Sequence, residues 1–231
     1  MKSPHRETET KSIFIVGAGG FGREVLNIID AVNELTSPGG GKWNFIGFVA
    51  DDRPAIPGNS TVDLPWLGTV EHAISTVPVA SCFVVAIGDP GTRRRIAERF
   101  EAAGFTAATL VHPRASLGSR IELGPGSIVC ANVTLTSDIE IGSHTIININ
   151  STVGHDTVIS AFVSVSPLCA ISGNVRVDEE AFVGTGAALL PGRTVAKRAA
   201  VGAGAVVTHD VAPGETVVGN PARPLRRAAE R

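Results

Sequence analysis

Stepping six residues at a time from Leu117 through Leu123, Val129 and Leu135 to Val195, Val201 and Val207 meets sixteen positions, all aliphatic, with no break or insertion. Four residues after each, the side chain is usually small or β-branched (Thr145, Ser151, Thr157, Cys169, Ala181, Ala205), with Arg193 as the clear misfit. A six-residue period matches neither the 3.6 of an α-helix nor the 2 of a strand. It suits a solenoid with a triangular coil and three six-residue sides. The aliphatic side chain points into the prism, and the small residue lets the chain turn the corner. A weaker mark recurs every eighteen residues, at Leu123-Gly124, Ile141-Gly142, Ile159-Ser160, Val177-Asp178 and Val195-Ala196. Glycine there is expected to serve a tight corner. The pattern predicts a parallel β-helix over 111–207. Its ends would be covered by what precedes it and by a tail, 208–231. Flat triangular faces also suit packing about a three-fold axis.

Residues 12–110 follow a different rhythm. Buried-strand runs at Ser12–Val16, Asn44–Val49 and Cys82–Ile87 alternate with helical stretches at Arg23–Asn33 and Arg93–Ala103. This predicts a small Rossmann-like parallel sheet flanked by helices. Between the first strand and helix lies Gly17-Ala18-Gly19-Gly20-Phe21-Gly22. Such a turn either presents free N–H groups to a phosphate or merely lets strand and helix pack closely, and its residues leave both open. The acidic pair Asp51-Asp52 lies some thirty residues beyond Gly22. A NAD ribose-binding acid usually lies about 20 residues on, so a mononucleotide or nucleotide-sugar fits better.

Composition narrows the function classes. Hydrophobic residues are 43% and charged residues 18%, as in compact folded proteins. A net charge of −2 argues against nucleic acid as the main partner. No apolar stretch reaches the ~20 residues of a membrane span, and the polar start lacks a signal-peptide core, so a cytoplasmic protein is expected. Cys82, Cys130 and Cys169 form no pattern and are expected as buried, reduced thiols.

Of the histidines at 5, 72, 112, 144, 155 and 209, one has context. His155 follows the inward Val153 by two residues and should emerge near a corner. Gly173 lies one coil on, so its backbone should stack about 4.8 Å away. Asp138, Asp156 and Asn174 form a polar ladder in the same way. A neutral imidazole beside a carboxylate, with a glycine backbone overhead, suits acyl transfer. His155 would be the general base, Asp156 would orient it, and the Gly173 N–H would donate to the oxyanion. His209 falls on the same edge three coils later; His144 has no such partners, and a structural role is expected for His112.

With these residues in hand, the chain resembles the hexapeptide-repeat acyltransferases, specifically the PglD-like and NeuD-like sugar acetyltransferases. The resemblance covers residues 12–224 and is carried by IVGAGGFGREV, GFVADD, HPRASLG, INSTVGHDTVIS, SGNV and VVGNPARPL. It implies a left-handed β-helix and a homotrimer, with acetyl-CoA as co-substrate in the groove between neighbouring helices and no tightly bound cofactor or metal. It implies a nucleotide-linked sugar, UDP-, dTDP- or GDP-linked and commonly a 4-amino sugar, on the N-terminal domain. The family's base matches His155 and its acidic neighbour Asp156. The substrate side matches Gly17, Gly19, Gly20, Phe21, Gly22, Asp51 and Asn148; the acyl-CoA side matches Ser164, Gly173, Gly202 and Ala203. Many relatives carry a second histidine nine residues after the first, in a His-x-Ser-x-Gly setting, where this chain has Ser164, Ser166 and Leu168.

N-acetylation of a nucleotide-linked 4-amino sugar is the leading expectation. O-acetylation of a sugar or sialic acid is its nearest rival. A β-helical zinc carbonic anhydrase, a dehydrogenase and a non-catalytic nucleotide-sugar-binding protein rank below. His144, His155 and His209 lack a zinc-binding spacing, and the N-terminal half leaves no room for a dehydrogenase's second domain.

Overall fold

A computed structural model describes residues 10–35, 42–53 and 64–225; His5 and residues 226–231 of the expected tail lie outside them. The first part is a parallel α/β unit: β1 (Lys11–Val16), α1 (Gly20–Leu35), β2 (Trp43–Val49), α2 (Val70–Thr76), β3 (Cys82–Val85), α3 (Pro90–Ala102) and β4 (Thr106–Ala107). The sheet order β2-β1-β3-β4 places the second and third strands on opposite sides of the first. The carboxyl ends of β1 and β3 therefore diverge into the crevice where open α/β sheets bind ligands. All four residues of β3 are buried, and Phe14, Phe83, Phe100 and Phe105 pack edge and face beneath α3.

The second part is a parallel β-solenoid, and its in-register stacking is eighteen residues: Thr152 pairs with Ala170, Ser164 with Phe182 and Val158 with Arg176. The first pairing joins Leu110–Val111 to Ile128–Val129, one rung before Leu117. Leu117 itself is 38% exposed, because an end rung has a neighbour on one side only. One face is the eight-stranded sheet that carries Ile146–Ile147 and Ser164–Val165. The other two faces merge into one nine-stranded sheet, because Ser116–Leu123 and Thr134–Ile141 run unbroken around a corner.

The corners differ from the sequence expectation. Gly124 and Gly142 do not take the left-handed backbone; a Cβ on either would come within 2.4 Å of the next coil's backbone nitrogen. The left-handed residue instead falls three positions after each inward aliphatic, as at Asn132, Asp138, Asn150, Asp156 and Asn174, with φ between 56° and 59°. Asn and Asp tolerate this region best, but Phe162, Leu168 and Glu180 also adopt it. The strain is offset by coil-to-coil hydrogen bonds from those same residues, such as Leu168 N–H to the Ile149 carbonyl at 3.0 Å and Glu180 N–H to Ala161 at 3.2 Å.

The small residues four positions on do not sit outside the turn but point inward and are buried. Three of them carry hydroxyls that knit successive coils. Thr145, Ser151 and Thr157 donate to the carbonyls of Ser160, Ser166 and Ser172 and accept from the N–H groups of Val163, Cys169 and Val175. A hydroxyl used both ways satisfies its own burial cost. The three cysteines are free and buried, and burial pushes the Cys130 thiol up to about 12.

The two parts are joined through α3. Arg93 is fully buried, and among the described residues no carboxylate is hydrogen-bonded to it. Its guanidinium donates to the carbonyls of Ile87 and Gly88 at the end of β3 (2.6 and 3.2 Å). It also donates to those of His144, Phe162 and Val163 on the solenoid (2.7, 2.7 and 3.0 Å) and to the Ser164 hydroxyl (2.9 Å). Burial lowers its pKa to about 10, which still leaves it charged at neutral pH. Beside it lies His144, which lacks partners of the His155 kind but is held in the junction: its ring is buried, stacks on Phe162 at 5.0 Å and meets Glu101 at 2.9 Å. Burial holds its pKa below the ordinary histidine value. Arg94 completes the junction with ion pairs to Glu179 and Glu180.

Replacing Arg93 with methionine keeps bulk but leaves several buried carbonyls unpaired. The expected loss is about 3 kcal/mol or more of unfolding free energy, read by urea denaturation.

Candidate active site

The strongest constellation stands at the corner after Thr152–Val153. The backbone around His155 is held from both sides: Asp156 N–H donates to the Ser137 carbonyl (3.2 Å), and the His155 carbonyl accepts from Asn174 N–H (2.7 Å). The left-handed Asp156 folds its carboxylate back to the preceding ring, and His155 Nδ1 meets Asp156 Oδ2 at 2.7 Å. A proton on Nδ1 facing the carboxylate leaves the Nε2 lone pair free as the base. The ring is 67% exposed and lies directly across Gly173, where an added Cβ would stand 2.7 Å from Nε2 and 2.8 Å from Cε1. Gly173 is thus required by the imidazole, and its N–H has no hydrogen-bond acceptor among the described residues.

On the coil before, Asp138 is paired with Arg120 at 2.7 Å, and that guanidinium holds its carboxyl below the usual carboxylate range. Asp156 therefore remains the acid partnered to His155.

The glycine turn divides between both readings of it. Gly17, at φ 102°, and Gly22 are packing glycines: added Cβ atoms would stand 2.9 Å from the Ala86 carbonyl oxygen and 1.9 Å from that of Gly17. Gly19 and Gly20 face open space, at the start of the sixteen-residue α1. Their end of the helix is suited to an anion. Arg23, unremarked in the sequence, reaches back to the Ala18 carbonyl at 3.4 Å and sets a cation beside the turn. Asp51 is exposed just past the end of β2.

Between this turn and the solenoid lies a cavity of about 250 Å³, lined among others by Phe21, Glu24, Gly88, Asn148, Ser166 and Phe182. Asn148 turns its Oδ1 to the Ile149 N–H at 2.7 Å. Ser164 also lines the cavity, but its hydroxyl donates to the Gly88 carbonyl at 2.6 Å and accepts from Arg93, so it is engaged in the junction. Leu168, 59% exposed, stands above Asn150 at the same corner. Gly202 and Ala203 lie on the corner of Asn148, three coils along. His209 falls off the stacking, because past Val207 the coil shortens and Val211 pairs with Val195; its Nδ1 meets Thr208 Oγ1 at 2.9 Å.

The structure thus forms two groups. Phe21, Asn148, Gly202 and Ala203 border one corner, which follows the eight-stranded face. His155, Asp156 and Gly173 stand at the next, one face away. A single chain does not join them. Among the described residues no three His, Cys, Asp or Glu side chains are grouped to hold a metal ion, and no helix is long and apolar enough to cross a membrane.

Residues 12–100 match the family model of the PglD N-terminal domain. The chain is 31% identical over 224 residues to a GDP-perosamine N-acetyltransferase of Escherichia coli O157:H7, covering 93% of this chain and 96% of that protein. This chain belongs to the PglD-like sugar acetyltransferases.

The acetyltransferase also aligns with the acetyltransferase domain of PglB from Neisseria gonorrhoeae FA1090, at TM-score 0.82 and 33% identity, over 94% of this chain and 100% of that one. That domain has also been solved in complex with acetyl coenzyme A. PerB from Caulobacter crescentus, in complex with CoA and GDP-perosamine, aligns at TM-score 0.83 and 29% identity over 93% of this chain and 97% of that one.

Substituting Gly173 with alanine should push the His155 ring off its coil and break its contact with Asp156, while the fold persists because Gly173 does not need a left-handed backbone. The imidazole resonances of His155 are expected to shift in this variant, with unfolding free energy changed by no more than about 1 kcal/mol.

Proposed function

We propose that this acetyltransferase moves the acetyl group of acetyl-CoA directly onto the 4-amino group of a nucleotide-linked sugar, with His155 as general base. The observation that carries this reading is the His155–Asp156 pair at 2.7 Å, set across the unpaired N–H of Gly173. The amine nitrogen attacks the thioester carbonyl carbon while His155 Nε2 accepts its proton. The carbonyl oxygen becomes an oxyanion facing the Gly173 N–H, an interaction typically worth about 3 kcal/mol. Collapse breaks the C–S bond, and the imidazolium returns the proton to the sulfur. The products are the N-acetylated sugar nucleotide and CoA thiol, and no acyl-enzyme is needed.

Separation of the two residue groups by one solenoid face supports a homotrimer in which the His155 corner of one subunit faces the Asn148 corner of its neighbour. The nucleotide diphosphate would lie against Gly19, Gly20 and Arg23, with Asp51 towards the nucleoside. Acetyl-CoA would run along the corner of Gly202 and Ala203. The GDP-perosamine named for two relatives puts a GDP-linked 4-amino sugar first among those to test, ahead of UDP- and dTDP-linked ones.

Release of CoA thiol with a panel of such sugars is the direct test. One sugar is expected to support turnover, and His155→Ala is expected to lower kcat by about a hundredfold or more. No release with any amino sugar would defeat the N-acetylation reading.

A mixing experiment tests the shared site. Asn148→Trp fills the cavity in one chain, and His155→Ala removes the base in another. Random trimers of the two should recover about a quarter of wild-type activity, since half of the chains retain each corner. A mixture as inactive as its parents would place the whole site within one chain.

A further inference from the structure

The cavity between the glycine turn and the solenoid contains an acid without a counter-charge. Among the described residues, Glu24, on α1, is its one charged lining residue, beside Phe21, Asn148 and Ser166. Among the described residues its carboxylate has no hydrogen-bond or ion-pair partner. Its charge is felt on the solenoid side as well, where it adds to the burial that raises the Cys130 thiol. Cys130 lies one coil before Asn148, so Glu24 faces the Cys130–Asn148–Ser166 column across the cavity.

An acid on the outer face of a surface helix is ordinarily solvated and does nothing. Glu24 is exposed, but it lines the cavity on the helix face turned to the solenoid, and the other lining side chains described carry no charge. The Arg93 guanidinium is buried behind Gly88 and Ser164, its N–H groups taken by carbonyls and the Ser164 hydroxyl. A neutral cavity with one negative charge selects a cation of small size, and an alkylamine is mostly protonated at neutral pH. A charge-assisted hydrogen bond to a carboxylate is about twice as strong as a neutral one.

We infer that Glu24 is the amine-recognition residue of the acceptor site, holding the sugar's ammonium group and so selecting amino sugars over their hydroxyl counterparts. This rests on the proposed acceptor class and deepens it. The bound ammonium must first release one proton to solvent, leaving the neutral amine that attacks; the proton lost in the attack passes to His155 and on to the CoA sulfur. Nitrogen becomes positive again as it bonds to the carbonyl carbon, and the same carboxylate favours that step. The acetamide product is neutral and has no such hold, so Glu24 distinguishes substrate from product as well as amine from alcohol.

Titration calorimetry without donor tests this on the full-length protein. GDP-perosamine, its UDP- and dTDP-linked 4-amino analogues and the matching 4-hydroxy sugars are compared on wild type, Glu24→Gln and Glu24→Asp. Wild type should bind one amino sugar roughly tenfold or more tighter than its hydroxy counterpart. Glu24→Gln should lose that preference while binding the bare nucleoside diphosphate unchanged, and Glu24→Asp should restore part of it. An amine preference that survives Glu24→Gln, or no preference in wild type, overturns the assignment. Because binding is read without acetyl-CoA, amine binding through Glu24 with no CoA release on adding donor would defeat the transferase reading and leave the Glu24 assignment standing.

Discussion

The arrangement of the molecule turns on one buried guanidinium. Taking a charge out of water is expensive, and among the described residues no carboxylate is bonded to Arg93 in compensation. What holds it is a set of five backbone carbonyl dipoles and one hydroxyl, drawn from both parts of the chain. Because the carbonyl acceptors are backbone atoms just past β3 and on two adjacent solenoid coils (His144, Phe162 and Val163), the arginine sets main chain against main chain. Neither part can rotate on the other without stranding the charge. The π-stacked His144 and Phe162, and the ion pairs of Arg94, widen the same junction.

This junction decides where the cavity is. Gly88 lies beyond the carboxyl end of β3, and Ser164 lies on the solenoid face; one hydrogen bond and a shared arginine tie them together. The glycine turn is thereby set against the corner that carries Asn148 and Ser166. Under the proposed function, a nucleotide on the turn and a sugar reaching the solenoid would share one frame, which would limit the entropy lost when the acceptor is positioned.

The solenoid contributes a different kind of order. Its eighteen-residue stacking puts an imidazole, a carboxylate and an unpaired N–H at one corner, from residues on two adjacent coils. It also keeps that corner a full face away from the cavity beside Asn148, since a rigid prism cannot fold one edge onto another. That rigidity is the physical basis of the proposal that the site is divided between copies of the chain.

Much of this was legible in the residues themselves, because stacking turns sequence spacing into spatial contact. Val153 points inward, so His155 emerges; eighteen residues on, Gly173 lies beside it, and Asp156 is adjacent in any case. The same arithmetic misplaced the left-handed corners, assigned to Gly124 and Gly142. Coil-to-coil hydrogen bonds let Asp156, Leu168 and Glu180 adopt that backbone three positions beyond the aliphatic. The glycine turn was legible as a motif, but its division into packing glycines (Gly17, Gly22) and open ones (Gly19, Gly20) depends on the neighbouring strand and helix. The roles of Arg93, His144 and Glu24 had no local signal. Arg93 meets acceptors 51 to 71 residues away, and Glu24 looks like any acid on a solvated helix until the solenoid stands opposite it. The sequence by itself determined the repeating prism and the groups it stacks, since those follow from a fixed period. Only the tertiary structure decided how the α/β unit sits on that prism, because that depends on one charge finding its dipoles across the fold.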